Sequence, residues 1–298
     1  MKKRGRYKKI RKSIKKSHLS TKTVTYGVLA ITFFLGLYFF SFVSPFSSKI
    51  RSILTLSPRA AIIDQGSLAP TAGPNPAFVK EVTAILKEAG FSVDYYPGEE
   101  VTVDFYRDLP THGYDLIIQR THAGVIGPPS DIPASEYNLS DFPKDSQSLL
   151  FTNEPYTITA ETKYLNDLQG FRLVKCYYDD EDNKRENSYF GISPMFVTQS
   201  MMGKFKDTII LNMGCEGLRH KKMAEAFVQK GCKVYLSWIG PVSSDYADQA
   251  TIHLLQRLLH EKLPVRKAVL ETMKKVGPDP VFKAVLGFYP IEAGNYIL

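Results

Sequence analysis

The sequence predicts an α/β protein, a three-layer α-β-α sandwich with a mostly parallel central sheet. It also predicts an N-terminal transmembrane helix and an inserted β-hairpin segment. Short apolar runs bounded by turn residues alternate with segments of helical periodicity, which favours buried parallel strands with helices on both faces. Two of the runs end in a polar residue capable of catalysis. An uncharged stretch near the amino terminus is long enough to cross a bilayer.

The amino-terminal region is basic and then apolar. Residues 1–22 hold eleven lysines and arginines and no acid, and 24–46 are mostly apolar. That apolar stretch spans a bilayer at about 1.5 Å per residue and exceeds the roughly 7–15 residues of a cleaved signal peptide's core. The basic flank predicts a cytoplasmic tail over 1–23. We therefore expect an uncleaved single-pass signal anchor over 24–46 in the cell membrane, a linker over 47–58 and an extracytoplasmic domain over 59–298.

The net charge of +8 belongs to the tail. Of 38 basic residues, eleven lie in the tail, so 27 basic residues face 30 acidic ones in the rest of the chain. A weakly acidic domain does not predict nucleic-acid binding. Three cysteines leave at least one thiol unpaired, so no disulfide framework is expected. The chain lacks the glycine-rich nucleotide fingerprints, and we expect neither a cofactor nor a metal.

The first part of the predicted domain alternates strand and helix. Asn75 and Pro76 are typical of a helix start, and Gly90 is typical of its end. The predicted elements are a strand over 59–64, a helix over 76–89, a strand over 91–96, a short helix over 101–109 and a strand over 114–121.

Residues 128–206 interrupt this alternation. Prolines mark a loop at the start, and residues 156–160 and 172–178 are rich in β-formers. The charged run 179–187 separates the second of these from 188–192, which predicts a hairpin with a solvated tip. A long insertion between two strands that carry candidate site residues is also a candidate lid or substrate contact.

The alternation then resumes. Apolar residues at strand and helical spacing continue to about Val276, and the tail beyond Pro278 is too mixed to assign. The predicted elements are a strand over 208–213, a helix over 218–230, a strand over 233–238, a helix starting at Ser244 or Asp245 and a helix over 264–276.

The third and fourth predicted strands end in residues suited to nucleophilic catalysis. His122 follows the third strand and Cys215 the fourth, each with a glycine two positions on. In open α/β sheets, function collects outside the carboxyl ends of the strands. If these strands are neighbours, the imidazole and the thiol share one crevice, as a nucleophile and its general base require.

The turn around Cys215 predicts further roles. Because Cys215 precedes a predicted helix, the positive end of that helix would lower the thiol pKa. The Cys215 N–H, with that of Ala123 or Gly124, is a candidate oxyanion donor, and Gly217 permits a tight turn. The residues predicted to bind the oxyanion or shape the site are Ala123, Gly124, Gly214, Glu216 and Gly217.

These residues resemble the caspase-like cysteine peptidase clan, which includes caspases, gingipains, legumains, separase and the bacterial CHAT peptidases. That clan places its catalytic histidine after one apolar strand, commonly as His-Gly, and its cysteine after the next. Caspases follow the cysteine with one residue and a glycine, as Cys215-Glu216-Gly217 does. The resemblance covers roughly 59–268. It implies a caspase-like fold and a cysteine endopeptidase with a Cys215/His122 dyad.

The sequence departs from this pattern at two points. Ala123 stands where the clan commonly has the glycine after its histidine. His122 and Cys215 are 93 positions apart, whereas the caspase spacing is about 50.

Four residues are candidates for a substrate pocket: Asp64, Trp238, Asp245 and Asp248. The two later aspartates follow the fifth predicted strand, where the resembled clan often builds its specificity pocket, and a buried acid there would suit lysine or arginine substrates. Helix capping is the alternative role for Asp245, and a turn or cap is the alternative for Asp64. Trp238 is predicted as core or crevice wall.

Three functions compete. The leading hypothesis is a membrane-anchored extracytoplasmic cysteine endopeptidase that acts on a peptide or protein substrate. The second is a catalytically inactive surface domain that binds a peptide or protein partner. The third is a metal or redox site built from Cys215, His122 and His220. Taken singly, a strand-ending cysteine usually packs in a core, but a histidine at the matching strand end favours catalysis.

Overall fold

The computed structural model describes residues 57–70, 72–126, 147–178 and 187–298, and Ser57–Leu298 form one compact unit. The predicted cytoplasmic tail, transmembrane helix and most of the linker, at 1–56, lie outside the described residues. So do 127–146 and most of the predicted hairpin tip, at 179–186. Across the described ranges, every helix falls short of the length and apolarity that a bilayer crossing requires.

The described chain alternates strands with short helices. The strands are β1 (Arg59–Ile63), β2 (Ser92–Tyr96), β3 (Leu116–Gln119), β4 (Ala123–Ile126), β5 (Gln147–Pro155), β6 (Leu173–Tyr177), β7 (Ser188–Ile192), β8 (Ile209–Asn212), β9 (Val234–Ile239) and β10 (Val285–Tyr289). The helices are α1 (Pro76–Glu88), α2 (Val103–Asp108), α3 (Ile158–Lys163), α4 (Leu165–Gln169), α5 (Pro194–Gln199), α6 (Lys222–Gln229), α7 (Ser244–Leu255) and α8 (Val265–Val276).

The central sheet confirms the predicted mostly parallel arrangement. Its strands lie in the order β10-β9-β8-β3-β1-β2. All neighbours pair in parallel except β10, which runs antiparallel to β9. The five strands predicted for this sheet are all present. β10 lies in the tail that the sequence left unassigned.

Helices cover both faces of this sheet, which confirms the three layers. Apolar residues of α1, α7 and α8 pack on one face, and those of α2, α5 and α6 pack on the other together with the second sheet. β1 is therefore buried from Ala60 to Ile63, as parallel strands covered on both faces usually are. The start of α1 is as predicted, because Asn75 accepts a hydrogen bond from the Phe78 N–H (3.1 Å) ahead of Pro76.

The insertion forms a four-stranded antiparallel sheet in the order β4-β5-β7-β6. The predicted hairpin is present as β6 and β7, paired with Cys176 opposite Tyr189. β5 was not predicted, because buried polar residues interrupt the apolar pattern that is typical of a strand. These residues form hydrogen bonds with distant parts of the chain. Ser148 Oγ donates to the Glu216 carbonyl (2.6 Å), and Thr152 Oγ1 donates to the Phe190 carbonyl (2.8 Å).

Residues 156–160, predicted as β-prone, instead begin a helix. Thr157 is the N-cap of α3, and its side chain accepts a hydrogen bond from the Ala160 N–H (3.2 Å). A threonine that satisfies a free N–H of the first turn stabilises the helix start by about 1 kcal/mol. Capping therefore prevails here over the β-propensity of the residues.

Candidate active site

The strands that carry His122 and Cys215 are neighbours. β3 and β8 pair in parallel, with Gln119 opposite Asn212, and each candidate residue lies three positions beyond that pair. Both residues line one cavity of about 640 Å³ at the carboxyl edge of the sheet. The register of two adjacent strands thus brings an imidazole and a thiol to the same cavity.

The turn that carries Cys215 is not the start of a helix. The helix predicted from residue 218 begins only at Lys222. Glu216 has a left-handed φ of 61°, and the N–H groups of Glu216 and Leu218 donate to the carbonyls of Gly240 (2.9 Å) and Trp238 (3.0 Å). Because these N–H groups are taken up by the chain around the end of β9, the segment that follows Cys215 does not present a helix terminus to the thiol.

The Cys215 thiol is partly buried and held by the loop after β9. The Val242 N–H donates to Cys215 Sγ (3.3 Å), and Sγ lies 3.5 Å from the Val242 carbonyl oxygen. Burial raises the pKa of the Cys215 thiol, with the hydrogen bond from Val242 opposing that rise and the Glu216 carboxylate adding to it. The direction of this shift is opposite to the predicted lowering of the pKa, and burial favours the protonated thiol. A nucleophilic role requires a base that removes its proton.

His122 is fixed at the junction of the two sheets. Its backbone N–H donates to Gln65 Oε1 (2.7 Å), and its carbonyl accepts from the Phe151 N–H (3.0 Å). Its ring packs against the rings of Phe151 and Tyr178, at centroid distances of 4.7 and 5.1 Å. The inserted sheet therefore forms one wall around the imidazole.

Gln65 organises this junction, and the sequence reasoning missed it. The side chain is fully buried, and its Nε2 group donates to Asn153 Oδ1 and to the Tyr178 hydroxyl, both at 2.7 Å. Gln65 thus connects the end of β1 with the His122 backbone, with β5 and with the ring that packs on His122. The sequence signal that could have indicated Gln65 is its position directly after a buried strand.

Two glycines allow the site loops to pack closely. A Cβ atom on Gly214 would lie 2.8 Å from the Ala123 Cβ and from the Thr121 carbonyl oxygen. A Cβ atom on Gly217 would lie 2.1 Å from Ser237 Oγ. Close approach rather than a left-handed φ therefore requires glycine at both positions.

Ala123 and Gly124, the other candidate oxyanion residues, lie in β4. Neither residue lines the cavity that contains Cys215, and Gly124 instead lines a separate pocket of about 350 Å³ beside His122. The Phe151 N–H donates to the His122 carbonyl, so His122 and Phe151 form a hydrogen-bonded pair. The next pair along the two strands is Ala123 with Leu150. The alternation of an antiparallel ladder then directs the Gly124 N–H toward Leu149. The position of Gly124 therefore does not support the predicted oxyanion role.

Two of the three predicted acids of the substrate pocket, Asp64 and Asp248, are engaged by Arg120, another residue that the sequence reasoning missed. Arg120 Nη1 donates to Asp64 Oδ1 (3.0 Å), and its Nε donates to Asp248 Oδ1 (2.9 Å). All three side chains are at least nine-tenths buried. Burial raises the pKa of Asp64, while Arg120 opposes that rise. Asp64 and Asp248 therefore form a buried triad with Arg120 and are not free acids for a basic substrate.

The other two candidate pocket residues differ in position. Trp238 is 1% exposed, packs against Tyr246 and is absent from the cavity lining. It belongs to the core, which is one of the two roles predicted for it, and does not line the pocket. Asp245 is exposed in the first turn of α7 and lines the cavity.

The metal hypothesis finds no support in the described ranges. They contain no group of three or more histidine, cysteine or acidic side chains arranged to hold a metal ion. His220 lies in the turn before α6 and does not line the cavity.

No family model matches the chain, and no curated protein matches it. Among solved structures, the chain is similar to the Drosophila initiator caspase Dronc, with 8% identity and a TM-score of 0.38, over 80% of this chain and 79% of Dronc. It is also similar to a Geobacter sulfurreducens protein, with 11% identity and a TM-score of 0.37, over 80% of this chain and 96% of that protein. Similarities of this size carry no functional inference.

Proposed function

We propose that this chain is a caspase-like cysteine endopeptidase in which Cys215 is the nucleophile and His122 is the general base. The observation that carries the proposal is the shared cavity, which receives both side chains from equivalent positions beyond adjacent parallel strands. That cavity is large enough for a side chain of a peptide substrate, and a base near a thiol is the arrangement that thiol catalysis requires.

The raised pKa of Cys215 defines the first step of the proposed reaction. Sγ attacks the peptide carbonyl carbon as the thiol proton passes to the His122 imidazole, so the S–C bond forms without a preformed thiolate. The imidazolium then donates that proton to the leaving amine as the C–N bond breaks. Water, deprotonated by His122, attacks the thioester carbonyl carbon, the S–C bond breaks, and the imidazolium returns the proton to Sγ as the carboxylic acid product leaves.

The inactive peptide-binding domain is the second candidate. The hydrogen bond from Val242 to Cys215 and the raised thiol pKa favour it, because a structural thiol has these same properties. The two candidates differ in whether His122 changes the reactivity of Cys215.

Iodoacetamide labelling of the folded protein separates the two candidates. We expect Cys215 to react faster than Cys176 and Cys232, which are buried. Burial raises the pKa of both thiols, that of Cys232 to about 12. His122→Ala should slow labelling of Cys215, whereas the control His220→Ala should not, because His220 lies outside the cavity lining. Peptide mapping after timed quenching gives the rate for each cysteine.

An inert Cys215, or a labelling rate that is the same in wild type and His122→Ala, would exclude the peptidase and leave the binding domain. Thermal unfolding of each variant shows whether a change in rate reflects the site or a loss of folding.

We also propose that residues 24–46 anchor the enzyme in the cell membrane with the catalytic domain outside the cytoplasm. The support is the sequence alone, in which a polybasic segment precedes an uncharged apolar stretch. Protease added to intact cells should digest the domain and spare a fragment containing residues 1–22, detected with an amino-terminal tag. Protection of the whole chain in intact cells, followed by digestion after lysis, would reverse this topology.

A further inference from the structure

The turn between α8 and β10 places two large apolar side chains at the cavity that contains Cys215. Val281 and Phe282 both line that cavity, yet they are 67% and 52% exposed. Apolar side chains that are held open to solvent at a concave site commonly mark a binding surface.

This turn is held in place by a buried carboxylate. Asp279 is fully buried, and it accepts hydrogen bonds from the N–H groups of Val281 (2.8 Å), Phe282 (2.6 Å) and Ser243 (3.0 Å). A carboxylate with three N–H donors is well satisfied despite its burial. The exposed pair is therefore presented by an ordered turn.

Asp279 also joins the turn to the nucleophile. Ser243, one of its three donors, is adjacent to Val242, whose N–H contacts Cys215 Sγ at 3.3 Å. One short, hydrogen-bonded stretch therefore positions both the thiol and the apolar pair. These hydrogen bonds therefore hold Val281 and Phe282 at a defined position relative to Cys215.

The rest of the cavity favours an apolar occupant. Among the described residues that line the cavity, Arg120 carries the one guanidinium or ammonium group, and it is engaged by Asp64 and Asp248. Met213, Val242 and Ala247 add further apolar surface to the wall. Asp245 is an exposed acid on the same lining, so a basic side chain is the alternative that a test must distinguish.

We propose that Val281 and Phe282 form an apolar lip that binds a large aliphatic or aromatic side chain of the substrate beside the bond attacked by Cys215. This inference rests on the proposed peptidase function and assigns its substrate class. It makes Val281 and Phe282 specificity-determining residues, which hold the substrate without taking part in the proton transfers.

Peptidyl chloromethyl ketones that differ only in the residue next to the electrophile test this proposal. Cys215 Sγ displaces chloride and forms an S–C bond, so labelling reports binding and thiol reactivity together. We expect leucine and phenylalanine probes to label Cys215 at least about tenfold faster than glycine, lysine or aspartate probes, because even one methylene in an apolar pocket changes rates about 10- to 200-fold. Iodoacetamide serves as the reporter of the thiol alone.

Serine substitutions at the lip should remove the preference and leave the thiol unchanged. In Val281→Ser and Phe282→Ser, both at exposed positions, the advantage of the leucine and phenylalanine probes should fall several-fold at an unaltered iodoacetamide rate. Leu270→Ser is the matched control, because Leu270 is 52% exposed like Phe282 but lies outside the cavity lining.

The outcomes separate the two proposals. If iodoacetamide does not label Cys215 in the wild type, the peptidase proposal fails, and the apolar lip fails with it. A different result is that iodoacetamide labels Cys215 in a His122-dependent manner while the glycine or lysine probe labels Cys215 as fast as the leucine probe does. That result would overturn only the apolar-lip proposal. A preference for leucine and phenylalanine that persists in Phe282→Ser and Val281→Ser would also overturn it.

Discussion

Replacing Cys215 with alanine is expected to abolish peptide hydrolysis while the domain stays folded. The proposed reaction forms its covalent bond through Sγ, so no residual pathway of comparable rate remains without the sulfur. The loss of stability should be small, because the thiol is only partly buried and its hydrogen bonds with Val242 are to the backbone. Hydrolysis of fluorogenic peptides with leucine, phenylalanine, lysine, arginine or aspartate before the cleaved bond provides the measurement.

His122→Ala should lower the same rate by about 10²- to 10⁴-fold, the usual contribution of a positioned acid–base group. Cys232→Ala is the matched control for Cys215→Ala. It removes a buried thiol from the core, so it should lower the stability of the domain and keep the rate of hydrolysis. Hydrolysis by Cys215→Ala at the wild-type rate would refute the mechanism. A pH–rate profile that loses its acidic limb in His122→Ala would identify the imidazole as the titrating base.

Replacing Arg120 with methionine is expected to cause the largest loss of stability of any single change considered. Arg120 compensates two buried carboxylates, those of Asp64 and Asp248, and its Nη1 also donates to the Gly73 carbonyl (2.9 Å). Removing one partner of a buried ion pair typically costs about 3–5 kcal/mol, because the remaining charge stays buried without compensation. Urea denaturation followed by circular dichroism measures the free energy of unfolding.

The loss of unfolding free energy in Arg120→Met should increase with pH. Burial already raises the pKa of Asp64, and loss of Arg120 raises it further above the unfolded value of about 3.9. An acid whose folded pKa exceeds its unfolded pKa loses stability as pH rises between the two. The gap between wild type and Arg120→Met should therefore be larger at pH 8 than at pH 5.

Lys163→Met is the control for this change, because the side chains of Lys163 and its ion-pair partner Asp104 are 54% and 51% exposed, and exposed pairs contribute at most about 1 kcal/mol. Adding Asp64→Asn and Asp248→Asn to Arg120→Met should restore part of the lost stability. Equal effects of Arg120→Met and Lys163→Met would show that Arg120 does not compensate the two buried carboxylates as described above.

The residues that sequence reasoning missed share one property, which is dependence on distant partners. Gln65 bonds to Tyr178, 113 positions away, and Arg120 bonds to Asp248, 128 positions away. Each follows a buried strand, so its location at the sheet edge was predictable. Its role was not, because a glutamine or an arginine at a strand end is equally compatible with solvent, a turn or a ligand.

The insertion illustrates the same limit. The hairpin of β6 and β7 was predictable from β-forming residues on either side of a charged run. β5 was not, since its buried Ser148 and Thr152 are satisfied by the Glu216 and Phe190 carbonyls. Only when those partners are in place can a strand bury polar side chains at low cost.

The sequence by itself determined the alternation of strands and helices and the placement of His122 and Cys215 at strand ends. Both follow from periodicity and turn residues, which act over a few positions. The tertiary structure alone decided that β3 and β8 are adjacent, that burial raises the pKa of the Cys215 thiol, and that Arg120 engages Asp64 and Asp248. These properties depend on desolvation and on charges brought together from remote parts of the chain, and no local pattern contains them.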